Sequence, residues 1–443
     1  MNVEQARPPQ DPDEWRGLFA LSCLALCAGA LSGLVASLFR IALEHADRLR
    51  DAFVAWAHPQ SFMGCALFVG ACAACTAVAA WLVHRFAPYA SGSGIPHVEA
   101  VLEGELPHAR YRLIPIKFVG GFLAIGSGLA LGREGPSVQM GASLSGLLGK
   151  LCGRDERDCR ALLAAGAGAG LATAFNAPVA GAVFVLEELA RRFDTRITVA
   201  TFGASAGAIT VARLIIGDAP DFHFAALPYA GFGTLPIYIA LGVVAGLLGV
   251  AYNHALLGAM NAAESLRRCP VELRAACIGA AVGLLAWWAP DWVGGGDALT
   301  QRALSAADGF ALVSMIFVLR FALGAVSYAA ETPGGLFAPM LVIGSQSGLL
   351  FGILCADWFP SANQHPTALA LVGMAAFFTA VVRAPVTGII LVTEMTASFT
   401  LLLPMLGACF AAMAVPELMR NPPIYASLRR KAAGKRASKA PEA

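Results

Sequence analysis

Glu134 stands in Gly132-Arg133-Glu134-Gly135-Pro136, between two uncharged stretches, 118–131 and 137–149. A carboxylate and a guanidinium in such apolar surroundings are costly in a bilayer, so they need partners or a watery path. Gly135 and Pro136 read as the start of a helix, where proline suits the first turn. The first turn of a helix carries unpaired N–H groups and partial positive charge. Such an end, aimed into a membrane, is an anion site. A titratable carboxylate placed there would compete with an anion for the same donors.

Two other breaks share this design. Gly92-Ser93-Gly94-Ile95-Pro96 and Gly335-Leu336-Phe337-Ala338-Pro339 both end in proline and both precede a helix-like run. Each could aim backbone N–H groups at one anion, or could mark only a closely packed kink. Three such breaks, two of them related by an internal repeat, favour the ion site. Further along, Glu187 and Glu188 close an apolar segment just before Arg191 and Arg192. A solvated helix end with ion pairs explains at least one of them equally well. Glu99 and Lys117 lie in or beside apolar segments and are expected to form a buried pair, and Arg320 is similarly placed.

The elements that must position these residues are membrane helices. The chain has 443 residues, 57% of them hydrophobic and 14% charged, with mean hydropathy +0.66. Such a composition excludes a soluble globular domain and defines an all-α, multi-span membrane protein. The formal net charge of +2 gives no sign of a nucleic-acid partner. The 11 cysteines are scattered through apolar stretches and read as buried free thiols, with no disulfide framework and no metal set. Gly166-Ala-Gly-Ala-Gly170 lacks a preceding strand and a following Lys-Ser/Thr, so it is read as close helix packing and not as a nucleotide loop.

Apolar segments run roughly over 18–40, 62–84, 113–131, 136–151, 161–188, 197–216, 235–260, 275–290, 309–330, 336–355, 367–382, 385–400 and 401–416. Several are shorter than the ~20 residues a helix needs to span a bilayer. Interruptions at Pro136, Pro178, Pro339 and Pro385 suggest half-helices that meet near the midplane. The polar N-terminus lacks the features of a cleaved signal, so a retained first span is expected. Arg191, Arg192 and Arg196, then Arg267, Arg268 and Arg274, then the basic tail mark one side as cytoplasmic. Segments 217–236 and 289–308, poor in Lys and Arg, read as external.

The chain also repeats itself. Gly132 to Pro136 aligns with Gly335 to Pro339, and Gly141 with Gly344. Ala177-Pro178-Val179 aligns with Ala384-Pro385-Val386, Gly166 with Gly373, and Glu187 with Glu394, whereas Glu188 meets Met395. With both termini on one side and an external linker, the two halves must be inverted relative to each other, a transporter architecture. The expected organisation is a cytoplasmic segment 1–17, a first membrane repeat 18–216, an external linker 217–233, a second repeat 234–428 and a basic cytoplasmic tail 429–443.

These motifs, in this order and together with Ala174 to Glu188, resemble the CLC family of chloride channels and chloride–proton antiporters, over about residues 18–428. The resemblance implies a homodimer in which each subunit carries its own ion path. It implies proton-coupled chloride exchange across a plasma membrane, the bacterial inner membrane in particular, with no cofactor, no metal and no nucleotide. It makes Ser93 the hydroxyl that coordinates the central anion, lined also by backbone N–H groups at Leu336 and Phe337 and by the hydroxyl of Tyr425. It makes Glu134 the external gate and proton acceptor and Glu188 the internal proton-transfer residue. The cytoplasmic regulatory domains of eukaryotic members are expected to be missing. A passive chloride channel on the same fold is the first alternative, against which Glu188 argues. A fluoride/proton antiporter is disfavoured by Ser93. An intramembrane enzyme would need a nucleophile–base pair or metal set that the isolated histidines do not supply, so a secondary transporter and not an enzyme is expected.

Overall fold

A computed structural model of the chain describes residues 12–225, 227, 231–266, 268–358 and 365–437. Most of segment 1–17 and the last six residues of the tail, 438–443, therefore lie outside the described residues, as does part of the linker.

Among the described residues the fold is helical. The first half contributes α1 (Pro12–Ala57), α2 (Ser61–Phe86), α3 (Ile95–Leu102), α4 (Leu113–Gly126), α5 (Glu134–Leu151), α6 (Glu156–Ala174), α7 (Pro178–Phe184) and α8 (Thr195–Ile216). The second half contributes α9 (Leu235–Ser265), α10 (Val271–Trp288), α11 (Asp297–Ser305), α12 (Phe310–Tyr328), α13 (Phe337–Trp358), α14 (Pro366–Val382), α15 (Pro385–Thr396) and α16 (Leu402–Leu418). One further helix, α17 (Ile424–Ala437), follows.

The packing repeats with the sequence. In the first half α5 lies on α6, α1 on α8 and α6 on α8; in the second α13 lies on α14, α9 on α16 and α14 on α16. The close crossings use glycines at matching positions. Gly141 faces the backbone of Gly166, and its repeat mate Gly344 faces that of Gly373, with no space at either for a β-carbon. Small residues let backbones approach and gain dispersion contact where lipid offers no hydrophobic drive. α6 and α14 are buried almost throughout and form the centre of the protein.

Among the described residues, six helical stretches are long and apolar enough to cross a membrane: Trp15–Phe86, Thr195–Ile216, Phe232–Ser265, Val271–Trp288, Phe310–Tyr328 and Phe337–Ala356. α4, α14, α15 and α16 are apolar but shorter. α1 continues well past the apolar stretch 18–40, because Arg50 pairs with Asp47 at 2.6 Å and Asp51 at 3.2 Å and keeps the polar end helical. The cysteines are free, but Cys23, Cys27, Cys152 and Cys277 are exposed where burial was expected. The first two and Cys277 sit on apolar helices whose outer faces suit lipid, so exposure costs them little. Cys72 and Cys75, two alanines apart in α2, are also unbridged.

Candidate ion site

Two short backbone bridges bring the three glycine-proline breaks together. Gly132 and Gly335 exchange N–H···O bonds of 2.8 and 2.7 Å, an antiparallel pair between repeat-equivalent residues. A reciprocal bond between equivalent positions is what an inverted two-fold relation requires. The break at Gly92 joins them in parallel, its N–H donating to Thr332 O at 3.0 Å and its carbonyl accepting from Gly334 N at 3.1 Å. The first turn of α5 then presses on the Ser93 loop. A β-carbon at Gly135 would strike Ser93, and one at Gly335 would strike the Gly135 backbone. Gly92 and Gly94 adopt φ of 61° and 85°, the left-handed region open to glycine.

Four helices are thereby aimed at one point. Ile95-Pro96 begins α3, Glu134 with Pro136 begins α5, and Phe337 with Pro339 begins α13. α17 begins at Ile424 and presents Tyr425 in its first turn, with the Tyr425 and Phe337 rings stacked at 6.2 Å. The Tyr425 hydroxyl faces the Ser93 hydroxyl; both are buried, and neither has a hydrogen-bond partner beyond the other. Buried polar groups are normally satisfied, so two facing hydroxyls with no further partner suit a ligand that accepts from both. Leu336 and Phe337 are fully buried beside them.

Glu134 is 1% exposed. Its carboxylate folds back over Gly132 next to the Ala338 methyl, within hydrogen-bonding reach of the Ala338 backbone N–H. The side chain thus sits at the N-terminal end of α13, on the kind of donor that an anion would use. Arg133 turns away from it. Its guanidinium donates to Ala174 O at 3.1 Å and to Asp297 at 3.0 Å, and lies 3.7 Å from Asp221. Asp221 also pairs with Arg40 at 2.9 Å, so Arg133 belongs to a charge network tying the linker to α1 and α11.

Glu188 lies elsewhere, on a single π-turn, Val185–Leu189, that continues α7. Its i→i+5 bond runs from Ala190 N to Val185 O at 2.7 Å. Isolated π-turns are often found at functional positions because they redirect side chains. Here Glu187 turns toward α15, while Glu188, 4% exposed, turns toward α3. Arg191 Nη2 stands 3.4 Å from the Glu188 carboxylate and 3.6 Å from that of Glu99.

The sequence pairing of Glu99 with Lys117 is not what the structure holds. Lys117 donates to Ala90 O at 3.0 Å and Gly92 O at 2.6 Å, so the buried ammonium satisfies carbonyls of the Ser93 loop. An irregular loop inside apolar surroundings needs donors for its carbonyls, and a lysine supplies several. Arg320 does a similar service for Trp292, Gly294 and Gly295. Sequence reasoning also missed Tyr328, whose hydroxyl accepts from Ser93 N at 3.2 Å. Its position at the end of α12, just before the third break, was the only available signal.

Inverted halves, broken helices and a buried polar centre where helix ends meet define a membrane transport protein. Residues 75–417 match the family model described as voltage gated chloride channel. The H(+)/Cl(-) exchange transporter ClcA of Vibrio cholerae serotype O1 is 37% identical over 417 residues, covering 93% of this chain and 89% of that protein. The crystal structure of a slow cyanobacterial Cl-/H+ antiporter superposes with TM-score 0.89 at 32% identity, covering 94% of this chain and 98% of that one. A CLC-type fluoride/proton antiporter shares the fold, with TM-score 0.75, 22% identity and coverage of 90% and 95%. The chain belongs to the voltage-gated chloride channel family, known as CLC.

Proposed function

We propose that this protein is a secondary transporter that exchanges chloride for protons, with Ser93, Tyr425 and the backbone at Leu336 and Phe337 holding the anion. The observation that carries this reading is the Glu134 carboxylate, seated at the N-terminus of α13 beside the facing hydroxyls of Ser93 and Tyr425. Ionised, the carboxylate competes with chloride for N–H donors at helix ends. Protonated, it loses that attraction, leaves the seat and admits an anion. One side chain therefore exchanges a proton for a chloride position. Glu188, buried beside Glu99 and Arg191, is the residue through which protons reach Glu134 from the other side.

In this reading the membrane repeats are 18–216 and 234–428, joined by an external linker, with both termini cytoplasmic. The basic loops 189–196 and 264–274 support that orientation. The protein is a multi-pass component of the bacterial inner membrane and a homodimer with one path per subunit. Similarity to named exchangers over most of the chain supports exchange over passive conduction.

The test is ion movement in liposomes containing only this protein. A chloride gradient is imposed with no initial pH gradient, and potassium with valinomycin clamps the voltage. Uphill proton movement driven by chloride is expected. Chloride flux without proton movement would make the protein a channel.

A further inference from the structure

A cavity of about 290 Å³ reaches the Ser93 loop from the side of α17. Gly92, Gly94 and Tyr328 line its buried part, and His84, Glu331 and Lys435 its more open part. Glu331 is out of character for this position. It has φ of 57°, a left-handed conformation that residues with a β-carbon seldom adopt. It also places a carboxylate on a path toward an anion site.

The carboxylate is matched by a lysine and lies beside a histidine. Glu331 accepts from Lys435 Nζ at 3.0 Å and lies 3.2 Å from His84 Nε2. Lys435 also lies 2.8 Å from Glu264, which in turn pairs with Lys431 at 2.9 Å. Among the described residues that line the cavity, Glu331 is the carboxylate set among the cations Arg429, Lys431 and Lys435, and Glu264 links the two lysines. A lysine beside an anion path concentrates anions but also retains them. Transport needs binding strong enough to admit an ion and weak enough to release it. A carboxylate paired with that lysine is a direct way to set the balance.

The geometry points to Glu331 as the residue that tunes anion affinity in this cavity, by holding Lys435 in a charge-balanced pair so that a passing anion is not trapped. This rests on the anion-transport reading of the adjacent site. Glu331 is a positioning residue for charge and takes no part in proton transfer.

The experiment measures the chloride dependence of exchange in liposomes, and the proton-to-chloride ratio, for wild type, Glu331→Gln, Lys435→Gln and the double variant. Glu331→Gln should lower the KM for chloride about three- to tenfold at low ionic strength and slow the maximal rate. Lys435→Gln should raise the KM by a similar factor, because Glu331 is then left with less balancing charge. The double variant should return near wild type, and the ratio should stay constant throughout. Both shifts should shrink in concentrated inert salt. Glu331→Gly, which removes charge and backbone strain together, should follow Glu331→Gln. Single variants that move the KM in the same direction, or leave it unchanged, would overturn the inference. So would Glu331→Gly behaving as wild type, or a change in the ratio. Absence of chloride movement by wild type would instead overturn the transport reading itself.

Discussion

Glu187 and Glu394 cap each other's helices across the two repeats. Glu187 accepts from the backbone N–H groups of Val386 and Thr387 at 3.0 and 2.7 Å, and from the Thr387 hydroxyl at 2.7 Å. Glu394 accepts from Val179 and Ala180 N–H at 3.1 and 2.8 Å. The donors are the first turns of α15 and α7, each opened by proline. A carboxylate satisfies the orphan N–H groups and complements the positive end of the dipole. Because each repeat supplies the cap for the other, the contact stabilises both halves.

Glu187→Ala or Glu394→Ala should each therefore destabilise the protein by about 1–2 kcal/mol, the usual cost of losing an N-terminal cap. Thermal unfolding in detergent, followed by near-ultraviolet circular dichroism, reads this directly. Loss from one variant but not the other would contradict the reciprocal arrangement.

The two proton-path carboxylates should separate from the caps in their effects. Glu134→Gln and Glu134→Ala should abolish chloride-driven proton movement while chloride still passes. Glu188→Gln should also abolish it, without vacating the seat on α13. Simultaneous pH and chloride recording in liposomes distinguishes these outcomes. Uphill proton pumping by either variant would remove its assigned role.

Part of this site could be read from residue order, and part could not. The breaks at Gly92, Gly132 and Gly335 announce themselves through glycine and proline, and the offset between Gly132 and Gly335 already relates two of them. The repeat also aligned Glu187 with Glu394. What residue order does not contain is which faces meet. Ser93 and the Tyr328 hydroxyl that accepts from its N–H are 235 residues apart. The Glu99–Lys117 pairing failed for the same reason. Both groups are buried, but the loop carbonyls at Ala90 and Gly92 claimed the ammonium, and Arg191 reached Glu99 from beyond α7. The π-turn that sends Glu187 and Glu188 in different directions has no sequence signature of its own.

Lys117→Met tests that correction. It keeps the apolar stem but leaves the Ala90 and Gly92 carbonyls without their buried donor. Gly92 O keeps the Gly334 N–H, so the Ala90 carbonyl is the group stripped of its partner, and a loss of about 1–3 kcal/mol is expected. The readouts are the unfolding temperature and the yield of monodisperse protein. Undiminished stability would mean that these carbonyls find other donors.

The last prediction concerns acid. Arg429 in α17 forms an ion pair with Glu103, just after α3, and with Glu105. Its hydrogen bond holds the Glu103 carboxyl below its ordinary value of 4.5, and partial burial, which opposes this, does not overcome it. A depressed carboxyl contributes stability above its unfolded pKa and loses it as pH falls through the folded value. The attachment of α17 should thus be intact near neutrality and loosen below the normal carboxylate range. Because Glu103 is largely solvated, the effect is local and not a global unfolding. Hydrogen exchange at α17 amides, corrected for the intrinsic pH dependence of exchange, should show protection lost in acid. In Glu103→Gln that protection should be lower at neutral pH and vary less with pH. Equal acid sensitivity in the variant would assign the loosening to other carboxylates.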